Sequence, residues 1–373
     1  MPYKDALEEK LKELQEEYAR TKYNKVTDKH LGILRAKMAK IRREIEARSK
    51  KRHGVGFGVK KAGDATVVLV GFPKAGKSSL LNALTGTSSK VADYAFTTLE
   101  AIPGMLNYAG ANIQLIDLPG IIEGAHTGKG GGTKIASVMR ASDLMLIVID
   151  ATAPDQLYTI LDELDKLNIR INKETPAMVV EKTSSGGISV EGAIDQKDKK
   201  VVAEALIAMG TYNAEVAVLK KMPVEDLIDY IVENIAYVKG IVVINKSDLI
   251  GEREMKQLAL SIRERTGLDA VAVSASKGSN LDALKEAIFK NTGLIRIYLK
   301  PKGAENADEK PMIIKAGATV EDIARKLNTK TARYLKYAYV TGPSAKFKEQ
   351  KVGTEHTLLD NDTVTLVYEK HAP

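Results

Sequence analysis

The sequence predicts an α/β protein, a parallel sheet covered by helices, with smaller modules before, within and after it. Three observations point there. Short apolar runs alternate with amphipathic stretches from about residue 64 to 293. A glycine-rich loop, Gly71 to Ser78, sits between the first such run and the first such helix. Between Asp150 and Asn245 lie 94 residues, far more than one crossover helix needs.

The elements follow in order. Leu7, Leu11, Leu14 and Tyr18, then Leu31, Leu34, Met38, Ile41 and Ile45, recur at helical spacing. Residues 1–60 are therefore expected to form a basic helical hairpin. A basic run over 42–52 ends it, and glycines at 54, 56 and 58 suggest a hinge. Strands are expected at 66–70, 112–116, 144–149, 241–244 and 270–274. Helices are expected at 77–85, 133–141, 155–167, 252–265 and 280–291. Residues 61–168 and 237–293 thus make one domain. Residues 169–236 make an inserted α+β subdomain, with a β-hairpin over 177–192 turning at Ser-Gly-Gly and helices at 197–209 and 223–235. Residues 294–373 form a third module. Strands are expected there at 294–300, 335–341 and 364–369, with a helix over 319–327 capped by Thr319.

Composition excludes several classes. The chain has 373 residues, 44% of them hydrophobic and 28% charged, enough apolar matter for real cores. It has no cysteine, which rules out disulfides, thiolate metal sites and cysteine nucleophiles. Five scattered histidines show no metal-ligand spacing. No apolar run reaches about 18 residues, so no membrane insertion is expected. The opening MPYKDALEEK lacks the apolar core of a signal peptide, and a cytoplasmic location is expected. The net charge is +8. Residues 1–60 hold 17 basic and 9 acidic side chains, so the excess lies entirely there. Polyanion contact should centre on that segment.

The chemistry-bearing residues fall into five groups. Residues 71–78 match G-x-x-x-x-G-K-[ST]. Backbone N–H groups from Gly71, Phe72, Pro73, Lys74, Ala75 and Gly76 (Pro73 excepted, having none) can close around phosphates at a helix N-terminus, with Ser79 following. Lys77 would neutralise the β- and γ-phosphates, and the Ser78 hydroxyl would ligate Mg²⁺. Next comes Phe96-Thr97-Thr98, where a threonine can close on Mg²⁺. Asp117-Leu-Pro-Gly120 ends a strand; Asp117 would hold the metal and the Gly120 N–H would touch the γ-phosphate. Asn245-Lys246-Ser-Asp248 follows another strand. The Asp248 carboxylate can accept from N1–H and the 2-amino group of guanine, whereas adenine would leave it unpaired. Ser274-Ala275-Ser276 can offer an N–H to guanine O6. The ligand so read is GTP or GDP rather than ATP.

The segments GFPKAGKSSLLNALTG, ADYAFTTLEAIPG and DLPGIIEGAHTGKGGG carry a family resemblance. The chain resembles the Obg-like class of translation-factor-related GTPases. Within it, the chain resembles the developmentally regulated GTP-binding protein (Drg) family. The resemblance spans essentially the whole chain. It implies a P-loop GTPase with a doubly wound sheet, and a ubiquitin-like β-grasp (TGS) module over 294–373 linked to RNA and ribosome contacts. It also implies that Thr98 is the switch threonine on Mg²⁺, and that the output is a nucleotide-dependent switch on ribosomes or structured RNA, with an accessory protein as a further partner. Two positions depart from common patterns. Ile121 stands where Ras-like GTPases place a water-positioning glutamine, so slow hydrolysis is expected unless another group acts. Lys74 stands where K⁺-using relatives carry asparagine, and its ammonium could replace K⁺ near the β–γ bridge. A rival reading is an RNA- or protein-binding scaffold whose nucleotide is structural.

Overall fold

A computed structural model describes residues 2–21, 30–34, 36–38, 40–41, 63–86, 102–118, 132–231 and 235–369. The basic run 42–52, and Phe96, Thr97, Thr98, Gly120, Ile121 and His126, lie outside the described residues. The chain divides into two compact units. One comprises 1–57 and 168–237, the other 58–167 and 238–373.

The second unit holds the parallel sheet. Its strands run in the spatial order Ala270–Ala272, Ala236–Asn245, Leu144–Asp150, Ala65–Val70, Ala111–Asp117, Ile102–Tyr108. The neighbours are parallel except the last pair. Every residue of ATVVLV (65–70), and of LMLIVI (144–149), is buried. Such unbroken apolar runs are what a strand covered on both faces requires. The strand Ile102–Tyr108 has no counterpart among the expected elements. Its Pro and Gly obscure the pattern, and it lies at the sheet edge, where proline is tolerated. It turns into Ala111–Asp117 through Ala109 and Gly110, both at positive φ (51° and 86°), the geometry of a tight hairpin. From the central strand Ala65–Val70 the chain pairs with 111–117 on one side and 144–150 on the other. That switch opens a crevice at the carboxyl ends of the strands.

The same unit contains the C-terminal module, a five-stranded sheet in the order Met312–Lys315, Leu294–Leu299, Asp362–Tyr368, Leu335–Thr341, Gln350–Val352. The helix Val320–Leu327 lays Val320 and Ile323 on Ile297, Ala338, Val340 and Val364. Its start is a reciprocal capping box between Thr319 and Asp322. Several links join this module to the parallel-sheet domain. Ile313 enters the core of the large sheet, and Lys315 Nζ reaches Asp143 Oδ1 at 3.0 Å.

In the first unit, the helix Pro2–Arg20 and a helical stretch within 30–41 are linked by His30 Nε2 and Glu17 Oε1 at 2.9 Å. Ala36 shares a core with Val202, Leu206, Val216 and Ile228 of the insert. The second helical stretch therefore packs with residues more than 150 positions away. The insert's sheet differs from the expected hairpin. Met178–Lys182 and Ile188–Gly192 do not pair with each other. Each pairs with Ala214–Val218 between them, the first antiparallel and the second parallel. Alternating burial of AEVAV (214–218) marks this central strand, which faces the core through Ala214, Val216 and Val218. The insert also buries an ion pair, Arg170 Nε to Asp229 Oδ2 at 2.7 Å.

Candidate nucleotide-binding site

The site occupies the carboxyl ends of the parallel strands. The loop 71–76 leaves strand Ala65–Val70 and enters the helix Lys77–Thr85 through Gly76 at φ 88°. No side chain caps this helix, so its first N–H groups point at the loop unclaimed by protein side chains. Glycine is required for two reasons. A left-handed backbone strains other residues, and a Cβ at Gly76 would collide with Asn245 Nδ2. Gly71 is held as tightly, because a Cβ there would meet the Val148 carbonyl. Lys74 also takes a left-handed conformation, φ 66°, and is exposed at the loop tip.

Lys77 is 8% exposed and donates to the carbonyls of Gly71 and Phe72, both at 3.1 Å. The loop is thus closed around its own ammonium. Burial pushes that ammonium below its ordinary pKa, with Asp117 opposing. Asp117 ends the neighbouring strand. Its Oδ2 accepts from Ser78 Oγ at 2.5 Å. Its Oδ1 is buried with no hydrogen-bond partner among the described residues. A buried, half-satisfied carboxylate beside a hydroxyl is a hard oxygen donor set, which fits Mg²⁺.

Asn245 joins the two halves of the site. It is 2% exposed, donates Nδ2–H to the Ala75 carbonyl at 3.0 Å, and accepts from the Ala275 N–H at 3.1 Å. One side chain thereby fixes the phosphate loop relative to the 274–276 loop. Lys246 adopts φ 61° and donates Nζ to Asp150 Oδ2 at 2.6 Å. Asp248 is exposed, and the Ser274 hydroxyl beside it holds its carboxyl below the usual carboxylate range. Ser274 Oγ also lies 3.2 Å from Ser276 Oγ and accepts from Lys277 N–H.

The structure therefore brings together residues 71–79, Asp117, Asn245, Lys246, Asp248 and 274–276. Asp150 joins them, although no motif in the sequence marks it. Its Oδ1 accepts from the Thr152 N–H and hydroxyl, and its Oδ2 takes Lys246. Burial tends to raise its pKa, but the Lys246 and Thr152 hydrogen bonds hold it lowered. The available signal was an acidic residue closing an otherwise apolar strand at its carboxyl end. The parallel register sets Asp150 opposite Asn245.

A phosphate loop, a buried acidic strand end and a base-reading loop on a doubly wound sheet define a P-loop GTPase. Comparisons with known proteins agree. The family model described as a 50S ribosome-binding GTPase matches residues 66–182, the C-terminal region of that domain matches 185–294, and the TGS domain matches 295–368. An uncharacterized GTP-binding protein of Methanocaldococcus jannaschii is 42% identical over 98% of this chain and 93% of its own length. The developmentally-regulated GTP-binding protein 1 homolog of Dictyostelium discoideum is 42% identical over 97% of this chain and 99% of its own. The human developmentally-regulated GTP-binding protein 2 is 39% identical over 96% and 98%. The chain belongs to the Drg family of GTP-binding proteins. Among the described residues no helix is long and apolar enough to cross a membrane.

Proposed function

We propose that this protein is a slow, Mg²⁺-dependent GTPase whose nucleotide state switches its engagement of ribosomes or structured RNA in the cytoplasm. The observation that carries the reading is the Asn245 bridge. It ties a phosphate-binding loop to a base-reading loop, so that Lys77 and Asp248 act on one ligand. Asp248, held ionised by Ser274, selects guanine by accepting from N1–H and the 2-amino group. On binding, the phosphates replace the Gly71 and Phe72 carbonyls as partners of Lys77, relieving an ammonium that burial disfavours. Ser78 and Asp117, with Thr98 from the segment outside the described residues, would hold Mg²⁺. When bound, the ion neutralises charge on the β- and γ-phosphates.

Slow turnover follows from Ile121, which has no group to orient water. Lys74, exposed at the loop tip, supplies fixed positive charge where related GTPases recruit K⁺. The GTPase rates of wild type and Lys74→Asn in K⁺ and in Na⁺ test this point. A wild type that needs K⁺ as much as the variant removes it. The ribosome-directed output rests on the +8 concentrated in residues 1–60, on the TGS module and on the description of the matched family. Co-sedimentation with ribosomes at about physiological salt, with a non-hydrolysable GTP analogue against GDP, tests the switch. Binding that requires the GTP form is expected. Equal binding in both states would instead make the nucleotide a structural element of an RNA- or protein-binding scaffold.

A further inference from the structure

The insert contains a cavity of about 400 Å³. A volume of that size lies in the range that takes a small organic molecule. Its lining comes from the strand Met178–Lys182, the end of the helix Gln196–Ala208, the helix Val224–Ile231 and the residues that follow each helix. Val180, Leu206, Met209, Ile231 and Ile235 make its apolar wall. Leu206 and Ile231 belong to the core of the insert, and Val180 and Met209 pack against that core. The cavity is thus a place where the core stops short of filling itself. Tyr237, which also lines it, gives a second sign of incomplete packing. Its hydroxyl is buried with no hydrogen-bond partner among the described residues. Buried hydroxyls are otherwise almost always paired.

Charge around the cavity is unevenly matched. Asp229 lines it, but its Oδ2 accepts from Arg170 Nε at 2.7 Å, and both side chains are buried. Asp226, on the same helix, is paired with Lys173 at 3.3 Å, and Glu174 is paired with Lys220. Lys182 is the exception. The alternation along MVVEK (178–182) puts Lys182 on the face of Met178 and Val180, which is the core face, and sends Glu181 to the other. Lys182 is exposed and lines the cavity, and its ammonium forms no hydrogen bond or ion pair among the described residues. Thr175 and Thr211 add hydroxyls to the same lining.

An apolar wall, two hydroxyls and one unmatched cation specify an amphiphile. The apolar body displaces water from the wall, and an anionic head meets Lys182. A cationic head would meet Lys182 with like charge and find the carboxylate of Asp229 already taken by Arg170. We propose that this cavity binds a small apolar acid, an aromatic or medium-chain carboxylate, with its body against Leu206, Met209 and Ile231 and its carboxylate on Lys182. No lining residue belongs to the nucleotide site, so binding here requires none of that site's residues.

The test uses the full chain with GDP and two fluorescent probes that differ in one group. Anilinonaphthalene sulfonate carries an anionic head, its sulfonate standing for the carboxylate. N-phenyl-naphthylamine is the same body without that head. The sulfonate probe is expected to saturate one site. Lys182→Gln should weaken it about three- to fivefold, the worth of one solvent-exposed ion pair, and leave the neutral probe unchanged. Met209→Trp fills the cavity and should weaken both probes at least about tenfold. Octanoate should displace the sulfonate probe, and octylamine should not. Unchanged circular dichroism and GDP affinity would show that the variants keep the fold. If Met209→Trp fails to fold, Lys182→Gln and the two competitors still decide. Failure of the sulfonate probe to saturate overturns the proposal, as does octylamine competing as well as octanoate. Sulfonate binding that Met209→Trp abolishes but Lys182→Gln leaves at the wild-type value refutes the acid, because the cavity then takes the apolar body alone.

Discussion

Asn245→Ala isolates the joint on which the site depends. The substitution removes two hydrogen bonds made by a side chain that is 2% exposed. It leaves the Ala75 carbonyl and the Ala275 N–H without those partners. The orphaned, buried Ala75 carbonyl costs about 1–3 kcal/mol and the half-buried Ala275 N–H adds less, which puts the pair at about 2–5 kcal/mol. Some of this is recovered if water enters the vacated space, so a loss of about 2–4 kcal/mol is expected. The same loss of alignment between the two loops should weaken GDP by at least about 30-fold, since 1.4 kcal/mol corresponds to tenfold. GTP should weaken by the same factor, because Asn245 touches neither the metal ligands nor Lys77. Asn245→Asp keeps the acceptor for Ala275 but loses the donor to Ala75, and should fare no better than alanine. Urea unfolding of the nucleotide-free protein by circular dichroism measures the first quantity. Titration with a fluorescent GDP and GTP analogue measures the second. A variant with wild-type midpoint and wild-type affinity would refute the bridge as the organising contact.

Three further outcomes are expected. Asp150→Asn removes the charge that holds Lys246, a pair only partly shielded from solvent, and should cost about 1 kcal/mol, or roughly fivefold in GDP affinity, with Asp150→Glu recovering part of it; an unchanged dissociation constant counts against a positioning role. Gly76→Ala places a Cβ against Asn245 Nδ2 on a left-handed backbone and should abolish measurable nucleotide binding while the C-terminal module stays folded, so wild-type binding would contradict the geometry. Tyr237 is pushed up to about 12 by burial, with Asp229 and Asp226 adding to it. Its folded-state pKa lies above the unfolded value near 10, so its contribution to stability is complete below pH 10 and is lost as pH rises towards 12. The tyrosinate absorbance difference between wild type and Tyr237→Phe should therefore have its midpoint near 12, and a midpoint near 10 would contradict the burial.

Local chemistry makes much of this protein legible in its sequence alone. The phosphate loop is a contiguous string whose glycines answer to backbone conformation at single positions, as Gly76 shows. The apolar runs 65–70 and 144–149 needed no partner to declare themselves doubly covered strands. Thr319 and Asp322 specify a helix start within four residues. What escaped depends on pairing across the chain. A period of two tells which face of a strand is buried but not which strand lies beside it. Met178–Lys182 and Ile188–Gly192 thus read as a hairpin, although Ala214–Val218 separates them. Ala36 shows its apolar character in sequence but not that its core partners are Val202 and Ile228. Asp150 acquires meaning only because parallel register sets its strand end beside that of Asn245, next to Lys246. The C-terminal sheet likewise needs its strand order before Tyr339 is seen to lie beside Lys351, and Tyr298 beside Thr363. Backbone conformation and burial pattern are properties of neighbours in sequence, so they are written locally. The choice of partner is settled by the packing of the whole chain, where many pairings satisfy the same local pattern and one buries the most apolar surface with its polar groups matched.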